Sequence, residues 1–147
     1  MDRGTLFVVA TPIGNLDDLA PRARKTLGAV DLVAAEDTRV TGRLLSHFGL
    51  KTRQIALHDH NEEKALAEVL AAVEAGHDVA LVSDAGTPLV SDPGFRLLRR
   101  AHELGVRVSP VPGPSAVTAT VSVSGTRPAR RRFQGIATPH QTARPAT

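Results

Sequence analysis

Apolar positions follow two rhythms along this chain. Five short runs, Leu6 to Ala10, Leu32 to Ala35, Gln54 to Leu57, Val79 to Ser83 and Arg107 to Val111, are rich in branched or small apolar residues and nearly continuous rather than alternating. Runs of that kind predict strands buried on both faces of a parallel sheet. Between them lie stretches with helical spacing. After Asn61, a good N-cap residue, Leu66, Val69, Leu70 and Val73 form one stripe and Gly76 stops it. Helices are likewise predicted over Pro21 to Val30, Thr38 to Phe48 and Phe95 to Leu104, with a last one starting near Ser115. Five strands alternating with five helices predict an α/β domain: a five-stranded, mainly parallel sheet with helices on both faces.

In such a sheet, ligands sit beyond the carboxyl ends of the strands. The loops there are ATPIGN (Ala10 to Asn15), EDTR (Glu36 to Arg39), HDHN (His58 to Asn61), SDAGTP (Ser83 to Pro88) and PGPSA (Pro112 to Ala116). All are dense in turn-forming or polar residues, whereas the opposite connections, such as EAGHD and ELGV, read as plain helix stops. This asymmetry predicts a binding site at one end of the sheet.

Composition narrows the chemistry. The 147 residues, 41% hydrophobic, suit one domain with a real core, and with no cysteine there is neither a disulfide framework nor a thiolate metal site. No apolar run is long enough for a membrane span and no secretory leader is legible, so a cytoplasmic protein is expected. Four Phe and no Trp or Tyr leave few surfaces for stacking bases. The net charge of +3 resides in the tail: Gly125 to Thr147 carries five Arg and no acid, while 1–124 is slightly acidic. That tail lacks periodicity, is broken by three prolines, and is expected to be largely disordered; its charge is a solvated end or a nonspecific RNA contact.

Neither the phosphate-loop pattern G-x-x-x-x-G-K-[ST] nor G-x-G-x-x-G occurs, which removes the ordinary nucleotide hydrolases and NAD enzymes. His58-Asp59-His60 has metal-ligating groups, but neighbours on an extended segment point to opposite faces and no third ligand is evident, so no metal is expected. Asp37 precedes a helix and is first a cap; Asp37 or Glu36 is alternatively a general base or a substrate-orienting acid, and Arg39 pairs with one of them or with a phosphate.

Taken in order, VATPIGNLDDL, DLVAAEDTR, LHDHNE, ALVSDAGTPLVSDPG and VPGPSA resemble the tetrapyrrole-methylase-like methyltransferases. Within that family they are most similar to the branch acting on small-subunit ribosomal RNA. The resemblance implies a class III methyltransferase fold, S-adenosylmethionine as cofactor, and 2′-O-methylation of a cytidine in ribosomal RNA or the small subunit. It also implies a homodimer. Cofactor contacts carry over to Pro12, to Asp84, Ala85, Gly86, Thr87 and Pro88, and to Ser115 and Ala116, with backbone N–H groups near Gly86 and Thr87 foremost. Thr87 stands where porphyrin-methylating relatives carry Asp, which argues against a porphyrin acceptor. Asp37, Glu36 and His58 are candidate bases by location only.

The family cleft lies between two α/β domains, and the chain matches the first, 1–124; the motifs fade in the tail, 125–147. A truncated or frameshifted product is therefore expected, with an incomplete cleft and weak methyl transfer by itself. A non-catalytic α/β remnant, or a methyltransferase acting on a tetrapyrrole or another small molecule, are the other readings. The tetrapeptide Leu-Val-Ser-Asp occurs at 81–84 and again at 89–92. The first copy reads as strand end and binding turn; in the second, Asp92 and Pro93 read as the N-cap and first-turn proline of the Phe95 helix.

Overall fold

A computed structural model describes residues 2–90 and 94–134. Strands β1 (Thr5–Val9), β2 (Leu32–Ala35), β3 (Gln54–Ala56), β4 (Val79–Val82) and β5 (Arg107–Val111) form one sheet in the order β3-β2-β4-β1-β5. Every pairing is parallel, with Leu6 against Val79 and Val108, and Val33 against Gln54 and Ala80. The helices are α1 (Pro21–Ala29), α2 (Thr38–His47), α3 (Glu62–Glu74), α4 (Phe95–Glu103) and α5 (Ala116–Val123).

The continuous apolar runs are explained by two cores, one on each face. In β2, Leu32 and Ala34 pack with Val69, Val73, Leu97 and Ala101 of α3 and α4. Val33 and Ala35 turn the other way, to Ala23, Leu27, Leu44 and Leu45 of α1 and α2. A period of two inside an unbroken apolar run is what two-sided burial requires. The helix after β1 therefore covers one face and the helix after β4 the other. Because β1 and β4 are neighbours, the gap between their carboxyl ends is the point where the winding reverses, the usual place for a ligand.

Several local expectations change. Asn61 is at the N-cap position of α3 without capping it; its side chain folds back, accepting from the His58 amide at 2.9 Å and donating to the Ala56 carbonyl at 2.9 Å. Ser115 likewise precedes α5 with no side-chain cap. The N-cap of α4 is Gly94, at φ 116°, so Asp92 does not hold that position, and Asp92 and Pro93 lie outside the described residues. The two Leu-Val copies also diverge: Leu81 and Val82 are buried strand residues, while Leu89 adopts a left-handed φ of 71°. Such a backbone is uncommon for a residue with a side chain like leucine's.

Of the tail, residues 126–134 have no helix or strand and are exposed; residues from 135 onward lie outside the described part. No helix among the described residues is long and apolar enough to cross a membrane.

Candidate functional site

The loops at the carboxyl ends of the strands are fastened to one another. Thr11, just past β1, and Gly86, past β4, form a two-bond bridge: each amide donates to the other's carbonyl at 3.0 Å. Gly86 reaches that geometry at φ 80°, and a Cβ there would meet Cγ2 of Ile13 at 3.2 Å. The Ser83 hydroxyl donates to the Ala85 carbonyl at 3.1 Å, and the Thr11 hydroxyl to the Ser83 carbonyl at 3.4 Å. The β4 loop is tied to the β5 loop by the Thr87 hydroxyl, which donates to the Pro114 carbonyl at 3.2 Å. On its other side the Asp37 amide donates to Asp84 Oδ1 at 3.1 Å. Four loops that are distant in sequence thus form one continuous polar ridge.

The ridge separates three cavities. One, of about 400 Å³, is walled by Ala85, Gly86, Thr87, Ser115 and Ala116, with Phe133 at its edge. The second, of about 290 Å³, contains Pro12, Thr11, Ser83 and Asp84 together with Thr41 and Arg43 of α2. The third gathers Glu36, Asp37, Arg39 and His58, and shares Asp84 with the second. Five of the eight residues expected to contact a cofactor therefore meet in one cavity. Pro12 and Asp84 lie across the ridge from them, and Pro88 is buried and lines none of the three. The three candidate bases do share a cavity.

Two expectations need correcting. The Gly86 amide is spent on Thr11 and is not available to a ligand, because the bridge that shapes the loop consumes it. Asp37 is committed as well. Its carboxylate accepts from the Arg39 amide at 2.9 Å and from the Arg39 guanidinium at 3.1 and 3.0 Å. The guanidinium first, and the helix-start amide second, hold its pKa at about 2, against an ordinary 3.8, while Asp37 in turn raises that of Arg39. A carboxylate held that low is a poor proton acceptor near neutral pH. Capping and pairing, both read from the sequence, are thus its roles.

His58 Nδ1 accepts from the His60 amide at 3.2 Å. In neutral imidazole that places the proton on Nε2, so His58 offers a donor rather than a base. The His58 and His60 rings are edge to face with centroids 5.8 Å apart. Among the described residues no three His, Asp or Glu groups stand together as a metal site.

Sequence reasoning missed Thr41, Arg43, Val117 and Phe133 as cavity residues. The first two sit on a helix that reads only as packing; the last was set aside as tail.

This fold, with a ridge of carboxyl-end loops over a winding reversal, defines a doubly wound α/β domain. Residues 5–147 match the tetrapyrrole (corrin/porphyrin) methylases, and the chain belongs to that family. The match continues beyond Gly125, so the likeness does not stop where the motifs appeared to fade. A Pseudomonas aeruginosa protein named ribosomal RNA small subunit methyltransferase I is 56% identical over 92% of this chain and 48% of its own length. Proteins of the same name from Xylella fastidiosa and Escherichia coli O157:H7 are 53% and 52% identical, over 96% and 91% of the chain. The chain spans about half the length of these curated relatives. Among solved structures, a Thermus thermophilus uroporphyrin-III C-methyltransferase superposes with a TM-score of 0.66 over 83% of this chain and 53% of that one, at 22% identity, which is a likeness of fold.

Proposed function

We propose that this chain is the cofactor-binding half of an S-adenosylmethionine-dependent methyltransferase that modifies the 2′-hydroxyl of a cytidine in small-subunit ribosomal RNA, acting in the cytoplasm as a homodimer. The observation that carries the reading is identity above 50% to the named ribosomal RNA methyltransferases over more than nine-tenths of the chain. The cavity at Thr87 and Ser115 suits the cofactor. Its walls are mostly small and apolar, its polar groups are few, and the first-turn amides of α5 are left uncapped by Ser115, so they suit a carboxylate. A Cβ at Gly86 would crowd the Ile13 side of that wall.

S-adenosylmethionine, when bound, supplies a methyl group on a positively charged sulfur. The chain's own contribution is placement: Thr87 and Ser115 line the cofactor side, and the acids at the end of β2 line the other. A ribose hydroxyl gains nucleophilicity when its proton is partly removed. Glu36, Asp37 and His58, the candidate acceptors of that proton, line one cavity. Thr87, whose hydroxyl braces the Pro114 loop, supports the ribosomal RNA branch over a porphyrin acceptor.

Titration calorimetry of the chain with S-adenosylmethionine tests the cofactor half of this reading: saturable heat, competed by S-adenosylhomocysteine, is expected, and its absence overturns it. Incubation with small ribosomal subunits and methyl-labelled cofactor tests the rest. Label recovered in 2′-O-methylcytidine supports it, whereas label on a base, or on a porphyrin offered instead, sinks it.

A further inference from the structure

The cavity between the ATPIGN loop, α2 and the SDAGTP loop has features that cofactor binding on the far side of the ridge does not explain. Thr11, Thr41 and Ser83 are 2 to 3% exposed, and all three line it. The hydroxyls of Thr11 and Ser83 are spent on loop carbonyls. That of Thr41 is the third hydroxyl of the wall. Pro12, Leu16, Val40 and Leu44 supply apolar walls. At the mouth stands Arg43, exposed and, among the described residues, without an ion pair or hydrogen bond. Its neighbour one turn earlier, Arg39, is by contrast locked to Asp37.

A partnerless guanidinium over a largely apolar pocket with hydroxyls in its wall suits a ligand with an anionic end and a flat, mostly uncharged body. The volume of about 290 Å³ is at the small end for such sites and matches one nucleoside rather than a stacked pair. Asp84 forms the wall shared with the Glu36 cavity, so a body seated here is next to the acids.

We infer that this cavity is the subsite for a pyrimidine ribonucleotide of the acceptor RNA, with Arg43 on a backbone phosphate and the Thr41 hydroxyl on the nucleoside. The inference rests on the ribosomal RNA reading above and gives it a location. Arg43 then fixes register along the strand, a role that phosphate contacts commonly take, and the pocket accepts the nucleotide without the aromatic stacking that the chain lacks.

The test is backbone amide NMR of the chain titrated separately with cytidine 5′-monophosphate, cytidine, inorganic phosphate and S-adenosylmethionine. Cytidine 5′-monophosphate is expected to shift the amides of Thr11, Val40 to Leu44, Ser83 and Asp84. Arg43→Gln should weaken its binding roughly tenfold and Thr41→Val severalfold, the scale of lost charged and neutral hydrogen bonds. Arg43→Lys should recover part of the loss. S-adenosylmethionine should move Ala85, Thr87, Ala116 and Val117 in the wild type and in both variants alike. The inference is overturned if cytidine 5′-monophosphate shifts nothing, or shifts chiefly Arg127 to Arg132, or if inorganic phosphate alone reproduces its effect. Should S-adenosylmethionine fail while the nucleotide still maps to Thr41 and Arg43, the cofactor reading falls and the subsite remains.

Discussion

The two ends of the sheet use the same devices to opposite effect. At the amino end, the Asp31 amide donates to the Asp78 carbonyl at 2.9 Å, Asp31 Oδ2 accepts from the Asp78 amide at 2.9 Å, and Asp78 Oδ1 accepts from the Thr5 amide at 2.8 Å. Gly4 packs so close to the following turn that a Cβ would lie 1.8 Å from the His77 carbonyl oxygen. At the carboxyl end, carboxylates and hydroxyls again bond to backbone across loops, through Asp84, Thr11 and Thr87. Yet there the fastened ridge stands between three cavities, while Gly4, Asp31 and Asp78 line none of them. Cross-loop hydrogen bonding by itself is therefore no sign of a site. What distinguishes the carboxyl end is that its bonded loops wall cavities, one of them carrying Thr41 and the exposed Arg43, whereas the buried side-chain atom without a partner among the described residues, Gln54 Oε1, lies at the start of β3.

The sharpest way to break this contrast is Gly4→Ala. The new methyl group meets backbone rather than a flexible side chain, so a loss of about 3 kcal/mol or more is expected in urea unfolding, with cofactor affinity in the surviving folded fraction unchanged. Gly86→Ala should cost less stability, about 1–2 kcal/mol for an L side chain at positive φ, and should also weaken S-adenosylmethionine binding in calorimetry. If both variants lost cofactor binding in proportion to stability, the division between the two ends would not hold.

Asp78→Ala and Thr87→Val form a matched pair of smaller effect. Each removes an acceptor or donor that fastens one loop, and each is expected to cost about 1 kcal/mol in thermal or denaturant unfolding. Only Thr87→Val should also lower cofactor affinity, because only that bond braces the cavity wall.

The smallest effect is electrostatic. Asp37 has a folded-state pKa of about 2, below the ordinary 3.8. Its ionised form is therefore favoured by folding, and the contribution, complete above pH 3.8, fades as the pH falls toward 2. In Arg39→Gln the Asp37 midpoint, followed by carboxyl carbon NMR, should rise toward 3.8, with stability at neutral pH nearly unchanged because the pair is exposed. A midpoint that remained at 2 would mean that the helix-start amide, rather than the guanidinium, sets it.

Much of the architecture was legible in the linear pattern. β2 and β5 begin and end where the apolar runs do, β3 and β4 stop one residue short, and β1 is shifted by one residue at both ends. Caps were read less well by residue type: Asn61 and Ser115 occupy cap positions without capping, Asn61 because the His58 amide and the Ala56 carbonyl take its side chain. Asp92 and Pro93 look like a helix start, whereas the left-handed backbone that Gly94 supplies at the N-cap leaves no mark in periodicity.

The candidate site divides in the same way. Local spacing was enough to place the five loops at one end of a parallel sheet, since strand polarity in a βα repeat puts every strand-to-helix loop on that side. Thr41 and Arg43 remained invisible because their environment is made by residues from 11 to 84, brought together only when α2 packs beside β4. The doubled Leu-Val-Ser-Asp shows the boundary most plainly: identical letters end a buried strand at Leu81 and turn through a strained backbone at Leu89. The sequence by itself determined the strands, the helices and the end of the sheet that binds, because these follow from periodicity and chain direction. Which amides are spent, which carboxylate is held low by a cation, and which side chains of α2 wall a cavity were decided by tertiary structure, since hydrogen bonds, ion pairs and cavities are settled by distance in space.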